Sequence, residues 1–448
     1  MKPLFISNHF FSTAIVVVIL MLVSLPAKAT ADQDLDINRF IPAATCADCH
    51  SEIYSQWQGS LHSLSHTDPI YNKLARYFLT GLSEPGEIEE AESCVKCHTP
   101  VGYVSGFPRK MSDNLSQTPE IATRGIQCDY CHSAVDVKKM YNNGLVVSPG
   151  QGEEDPGTKY GPFDDAQPDF HEAAYSKLHT EARICGTCHD VKHVAFGTNL
   201  ETTYTEWKNS PYNSEDPEKR VTCQDCHMVQ RPGVPATGST SRPDNPGSAA
   251  DYSDERPHIF THYFVGANTY VPASFNAQEK SDMAIERLRN AAVVKIDTVT
   301  KEATRIRVSV TNSGAGHSIP TGLGDLRQVW LEIVVKDETH KVLYTSGRLD
   351  RKGILDSDAL IFRTVFGDKA GNPVINLAKA SQVLSDNRIR AGETVTIPVD
   401  LGFAPPKGSV ISVRLLYRGA PQKILAMLPG PSISPLPVIE MARAVQKF

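Results

Sequence analysis

The sequence has no run of about 20 apolar residues, the length that a membrane-spanning helix needs. It also has no excess of positive charge: 45 basic residues stand against 51 acidic ones, a net charge of −6. Proteins that bind nucleic acid usually present a basic face, so this class is excluded. We therefore expect no nucleic-acid partner and no membrane span in the mature chain. Any electrostatic steering would favour partners with basic surfaces.

The first 31 residues are typical of a secretory signal peptide. Lys2 is followed by an apolar stretch from Ala14 to Leu25 and then by Ala27-Lys28-Ala29, which predicts cleavage after Ala29 or Ala31. A membrane anchor is the alternative, but the apolar stretch is too short to span a bilayer. We therefore expect an exported protein, located in the periplasm or outside the cell.

Two composition patterns divide the rest of the chain. Residues 32–292 hold every cysteine and are rich in Gly, Pro, Asn and Asp, which predicts a domain of helices and loops. An amphipathic helix from Asn276 to Val293, with Ser281 as its cap, is predicted to lead out of it. An acidic run between Glu153 and Asp165 is interpreted as solvated surface.

Residues 293–448 show apolar residues at every second position. The pattern is clearest in Ile306–Val310, Val329–Val335, Val395–Leu401 and Ser409–Tyr417, which predicts an antiparallel β-sandwich-like domain. The segment after Ile424 carries several prolines and is predicted to be a short tail with a final helix. The expected fold class is α+β and multidomain.

All ten cysteines belong to five Cys-x-x-Cys-His motifs. Chance placement of ten cysteines and fifteen histidines predicts far fewer than one such motif. The motifs are Cys46-Ala-Asp-Cys49-His50, Cys94-Val-Lys-Cys97-His98, Cys128-Asp-Tyr-Cys131-His132, Cys185-Gly-Thr-Cys188-His189 and Cys223-Gln-Asp-Cys226-His227.

This spacing is the one used for covalent attachment of haem c. Two thiols three residues apart bind the two vinyl groups of the porphyrin, and the adjacent imidazole ligates the iron. We predict five covalent haem c groups, with the ten cysteines as attachment points and His50, His98, His132, His189 and His227 as iron ligands. Zinc knuckles and disulfides are the alternatives, but neither explains a histidine after every pair.

The second axial ligand of each haem bears on function. A haem with two histidines is closed and suited to electron transfer, whereas one with an open position can bind a small molecule. Nine further histidines lie beyond the signal segment: His62, His66, His171, His179, His193, His258, His262, His317 and His340. Methionine is a weak alternative because the sequence has few.

Five stretches resemble the multihaem cytochromes related to the tetrahaem electron carrier of ammonia-oxidising bacteria. They are Tyr54-x-x-Trp57-x-x-Ser60-x-His62, Gly125–His132, Leu178-His179 with Cys185–Val191, Thr203–Tyr212 with Cys223–Met228, and Gly316–Gly322. The resemblance implies a pentahaem member with an added C-terminal β domain. It further implies that His62, His179, His262 and His317 are distal iron ligands, with His171 or His258 as the fifth. His66, His193 and His340 are then structural or solvent-facing.

His317 follows the flexible turn Asn312–Gly316 and precedes Pro320-Thr321-Gly322, so it is expected at the tip of a loop. It would ligate a haem of the other domain or merely form a hydrogen bond across the interface.

The leading hypothesis is electron transfer between redox partner proteins, with no catalytic residue. The alternative is an oxidoreductase of small nitrogen or sulfur compounds with one open haem, although no Cys-x-x-Cys-Lys motif is present. A third hypothesis is a homo-oligomer or filament in which a histidine of one subunit ligates a haem of the next.

Overall fold

The computed structural model describes Met1 and residues 34–233, 244–297 and 304–448. The predicted signal peptide therefore lies almost wholly outside the described residues. Among the residues described, no helix is long and apolar enough to cross a membrane.

The first part of the chain is built from short helices joined by loops. Their bounds are α1 Ala43–Cys46, α2 Ser51–Trp57, α3 Pro69–Phe78, α4 Pro85–Glu92, α5 Val95–His98, α6 Pro100–Val104, α7 Glu120–Thr123, α8 Cys128–His132, α9 Arg183–Gly186, α10 Thr203–Lys208, α11 Cys223–His227, α12 Tyr270–Ser274 and α13 Gln278–Arg289.

Four two-stranded ribbons lie between these helices. They pair β1 Ala134–Val137 with β2 Leu145–Val147, β3 Thr158–Gly161 with β4 Glu172–Tyr175, β5 Val191–Lys192 with β6 Asn199–Glu201, and β7 Gly247–Ser248 with β8 Glu255–Arg256. The β3–β4 pair is parallel and the others are antiparallel.

The second part is formed mainly by antiparallel strands. These are β9 Ala292–Ile296, β10 Arg305–Asn312, β11 Gln328–Lys336, β12 Val342–Ser346, β13 Leu360–Phe362, β14 Thr364–Gly367, β15 Pro373–Val374, β16 Gln382–Asp386, β17 Thr394–Asp400, β18 Val410–Arg418 and β19 Ile439–Lys447, with the short helix α14 Gln422–Leu425. One sheet has the order β17-β10-β9, a second has β12-β11-β18-β19 with β13 beside β11, and a third has β15-β14-β16. This arrangement confirms the predicted α+β fold class.

The first two sheets enclose a common apolar core. Alternate residues of each strand point into it, among them Val308 and Val310 of β10, Leu331 and Ile333 of β11 and Val413 of β18, all fully buried. Burial of one face of each strand is the physical cause of the period-two pattern in the sequence.

A second core crosses the predicted domain boundary at residue 292. Ile70 and Phe78 of α3 pack with Phe366 of β14 and with Leu377 and Leu425. The two parts of the chain therefore share buried apolar surface, which holds them in a defined arrangement.

Two local predictions were wrong. The predicted helix over 276–293 ends at Arg289, because Ala292 and Val293 pair with β10 as part of β9, and Ser281 lies inside the helix, where its hydroxyl donates to the Thr269 carbonyl. The predicted final helix is instead strand β19, which pairs along β18.

Candidate haem-binding site

Each of the five motifs includes a short helical segment. Helices α5, α8 and α11 end on the motif histidine, whereas α1 and α9 end at or just after the first cysteine. In the first, second and fourth motifs the backbone N–H of the histidine donates to the carbonyl of the first cysteine. In the third and fifth motifs the whole motif forms one short helix. A helical turn brings residues i, i+3 and i+4 to one face, so both thiols and the imidazole of a motif can meet one haem.

The Nδ1 atom of each motif histidine has a hydrogen-bonding partner. The partners are the carbonyls of Ala249 for His50 (2.7 Å), Ser65 for His98 (3.1 Å), Tyr160 for His132 (2.7 Å) and Val265 for His227 (2.8 Å), and the Glu201 carboxylate for His189 (3.4 Å). Such a bond fixes the tautomer and leaves Nε2 as the metal-binding nitrogen.

Four motif histidines face a second histidine across the interior. The ring centroids are 6.5 Å apart for His50 and His171, 6.4 Å for His189 and His62, and 6.3 Å both for His132 and His262 and for His227 and His317. An iron held by two imidazoles separates the centroids by about 6.2 Å, from two metal–nitrogen bonds of about 2.0 Å and about 1.1 Å within each ring. The four pairs fit bis-histidine haem.

The facing histidines are also in the chemical state that a ligand needs. Burial lowers the pKa of His62 and of His262 to about 3, so both rings are neutral. The Nδ1 atoms of His171, His262 and His317 donate to the nearby carbonyls of Glu172, Phe260 and Ser318. Their Nε2 atoms remain for the metal.

His179 and His258, two other predicted ligands, are placed differently. His179 lies 5.6 Å from His132, less than the separation across an iron, and its Nε2 donates to the Cys131 carbonyl. His258 packs edge-on against Phe260 and faces no motif histidine. The structure thus brings His262 rather than His179 to the required distance from His132, and of the two residues proposed as the fifth ligand it favours His171.

His98 has no histidine opposite it among the described residues. The Tyr71 ring lies flat against His98, with centroids 3.7 Å apart and parallel planes, and its hydroxyl donates to the sulfur of Met111. His66, the unassigned histidine closest in sequence, is buried and bonded through Nδ1 to the hydroxyl of Thr99. The second motif therefore differs from the other four.

One cavity of about 1740 Å³ connects all five motifs, and every motif cysteine and histidine lines it. Thiols of different motifs interact in three pairs: Cys46 with Cys128, Cys97 with Cys188, and Cys185 with Cys223. The first motif is thus beside the third, and the fourth is beside both the second and the fifth. The third and fourth also adjoin, because Cys188 lies near enough to Cys131 to add to the rise that burial causes in the pKa of Cys131.

The alternatives of zinc and disulfides find no support in this geometry. None of the ten cysteines, all of which lie in the described ranges, forms a disulfide. Within the described ranges no three His, Cys, Asp or Glu side chains form a group that could hold a metal ion by themselves. The residues do fit haem c, since each motif pairs two thiols with a preset imidazole at the wall of one cavity.

Comparisons with known proteins agree with this geometry. The family of cytochrome c554 and c-prime matches residues 45–133, which include the first three motifs. The crystal structure of a penta-heme cytochrome c552 from Thermochromatium tepidum superposes with a TM-score of 0.60 at 19% identity, covering 92% of this chain and 100% of that one. The match shows a shared fold. No curated protein sequence matches the chain.

The chain is thus similar to multihaem c-type cytochromes, in sequence over residues 45–133 and in fold over most of its length.

Three residues that contact the predicted ligands carry no sequence signal. Phe264 packs on His62 (4.3 Å) and against His262 (5.4 Å), with a positive φ of 48° that bulky residues rarely adopt. Such strain is usually retained where a side chain must hold one position. Tyr71, described above, is the second residue.

Glu201 is the third. Burial alone would lower the pKa of His189, but the hydrogen bond and charge of Glu201 outweigh it and raise that pKa to about 9. A carboxylate on the ligand's Nδ1 makes the imidazole more electron-rich, which favours ferric iron and lowers the reduction potential. The fourth motif is therefore expected to hold a low-potential centre.

Proposed function

We propose that this cytochrome is an exported, periplasmic electron carrier that relays electrons between redox partner proteins through five covalent haem c groups. The observation that carries the proposal is the set of four histidine pairs at 6.3–6.5 Å around one continuous cavity. Closing both axial positions of a haem suits it to electron transfer rather than to substrate binding.

Each haem supplies a one-electron ferric/ferrous couple when bound. Two cysteines of each motif would attach one haem, and backbone carbonyls hold the histidines of the first, third and fifth motifs at the wall of the shared cavity. The contacts between motifs support a path from the first to the third and then to the fourth, where it branches to the second and the fifth.

The protein purified from a host that matures c-type cytochromes is expected to carry five haems per chain by intact mass. A reductive titration should take up about five electrons per chain, mostly at low potential because histidine lacks the upward effect of a methionine ligand. Four haems or fewer, or mostly positive potentials, would contradict the proposal.

We propose that the partner docking beside the first motif has a basic surface. Asp251 donates its backbone N–H to the Cys49 carbonyl, and Tyr252 next to it is 97% exposed. Phe170, beside the ligand His171, is half exposed, and both aromatic rings border the cavity. Exposed aromatic residues with an acidic surround suit a polar protein interface. The surround is Asp164, Asp169, Glu172, Asp254 and Glu255, all exposed.

Electron transfer from a small basic cytochrome should slow by about tenfold or more from low to high salt. The pair Asp254→Asn and Glu255→Gln should lower the rate at low salt. The same charge change far from this surface, Glu338→Gln with Asp358→Asn, should leave it unchanged. Equal rates in both double variants would place the docking surface elsewhere.

A second function is favoured by one observation, the absence of a histidine opposite His98 among the described residues. Its haem would keep one axial position for a small molecule, as in an oxidoreductase. Nitrite or hydroxylamine added to the oxidised protein should then shift one haem spectrum of five. An unchanged spectrum would leave only the carrier. In the filament hypothesis, this position would instead receive a histidine of another copy.

A further inference from the structure

His317 contacts the fifth motif from the β-rich part of the chain, which comprises β9 to β19; the helical part comprises α1 to α13. It lies on the loop between β10 and β11 and faces His227, which ends α11 in the helical part. Its Nδ1 donates to the carbonyl of Ser318 at 3.1 Å. The position of His317 thus depends on how the Ser318 peptide is held.

Glu206, on α10 of the helical part, holds that peptide. One carboxylate oxygen accepts from the Ser318 N–H (3.0 Å) and from the Thr321 hydroxyl (2.7 Å). The other accepts from the Thr202 hydroxyl (2.8 Å) and from Nη1 of Arg388 (2.6 Å). The carboxylate thus accepts one hydrogen bond from Thr202 beside its own helix, two from the loop that carries His317, and one from Arg388.

Arg388 belongs to that support. Its other nitrogens bind Asp386, and its neighbour Ile389 exchanges two backbone hydrogen bonds with Ile319 on the far side of Ser318. The side chains of Glu206 and Arg388 are only 11% and 9% exposed. A buried pair of this kind is costly to break, because loss of Arg388 leaves the Glu206 carboxylate as an uncompensated charge.

We propose that Glu206 and Arg388 are positioning residues for the distal ligand of the fifth haem. The inference rests on the proposed bis-histidine relay. Glu206 orients the Ser318 peptide, the Ser318 carbonyl fixes the His317 tautomer, and Arg388 fixes Glu206. Glu206 belongs to the helical part, whereas His317, Ser318 and Arg388 belong to the β-rich part. The docking of the β-rich part therefore controls whether this haem is closed.

Glu206→Gln tests the role with little change of shape. The amide retains one acceptor oxygen and places an NH₂ group against either Arg388 or the Ser318 N–H, so one side of the contact is lost. Arg388→Gln removes the other partner, and Arg388→Lys retains the charge. The matched controls are Glu215→Gln and Arg390→Gln, both on exposed side chains near these positions.

The readout is cyanide binding to the oxidised, fully haem-loaded protein, because cyanide takes a closed haem only when its distal histidine leaves. Loss of an outer partner of a metal ligand weakens ligation by about 10–100-fold. We expect one additional haem to bind cyanide about tenfold or more tightly in Glu206→Gln and Arg388→Gln than in the native protein. Arg388→Lys should recover most of the native value, and both controls should match the native protein.

His317→Ala distinguishes a failure of the proposed ligation from a failure of the positioning role. If this variant exposes no additional cyanide-binding haem, His317 is not a ligand and the proposed ligation fails. If His317→Ala does expose an additional cyanide-binding haem while Glu206→Gln retains the native affinity, ligation stands and the positioning role is overturned. Five haems by mass and a native circular dichroism spectrum are required of each variant, and Glu206→Gln decides the question if Arg388→Gln does not fold.

Discussion

Without haem attachment, the helical part of this chain is expected not to fold. Its motifs surround a cavity of about 1740 Å³. Enclosed empty volume costs about 24 cal/mol per Å³, so leaving even part of this space unfilled would remove a large share of the total stability of about 5–15 kcal/mol that native proteins possess. The short helices and two-stranded ribbons there offer little to offset it.

Limited proteolysis of the chain produced in a host without cytochrome c maturation measures this effect. Cleavage should begin within residues 34–233, whereas the strands around Leu331 and Val413, which have their own core, should persist longest. The haem-loaded protein is the control. A haem-free chain with the same cleavage pattern as the loaded one would show that the cofactors are not part of the core.

His317→Ala is expected to leave five haems attached and to convert one from low-spin to high-spin. The ring centroids of His317 and His227 are 6.3 Å apart, a separation that fits two ligands of one iron, and alanine supplies no ligand. The two parts of the chain should also separate more readily, because the interface loses a metal bond. Electronic absorption measures the change of spin state, mass spectrometry counts the haems, and limited proteolysis measures the separation of the two parts.

The matched control is His340→Ala. His340 occupies an exposed turn between β11 and β12, where its backbone N–H donates to the Asp337 carbonyl. This variant should retain the native spectrum. An unchanged low-spin spectrum in His317→Ala would leave His317 as a loop residue that only hydrogen-bonds across the interface.

The sequence predicted the chemistry of the motifs because that chemistry is local. Two thiols and an imidazole within five residues suffice to bind one edge of a haem, whatever the rest of the chain does. The strands β10, β11, β17 and β18 were predicted for a similar reason, since the alternation of buried and exposed side chains is present within each strand.

The pairing of ligands is not local. His62 faces the motif histidine at 189, and His262 faces the one at 132, through contacts between segments more than a hundred residues apart. No periodicity encodes such a pairing, so the sequence led to both His179 and His262 as distal ligands and assigned neither to a motif. The stacking of Tyr71 on His98 could not be predicted either, because it too is a contact between separate segments.

The final strand was missed although its pattern is present. Ile439 and Met441 are buried and alternate with more exposed residues, but the prolines that precede them favoured a loop and a short helix. The end of the predicted helix near residue 290 was misplaced because Ala292 and Val293 suit a helix locally, while pairing with β10 makes them a strand.

The central claim is that four of five haems have two histidine ligands and that the haem of the second motif differs. Near-infrared magnetic circular dichroism of the oxidised protein tests it most directly, because this signal reports bis-histidine ferric haem quantitatively. With five haems established by mass, the account predicts a bis-histidine intensity equal to four haems per chain. An intensity equal to three haems or fewer would contradict the pairing of the motif histidines, and an intensity equal to five would show that the second motif also has a second histidine.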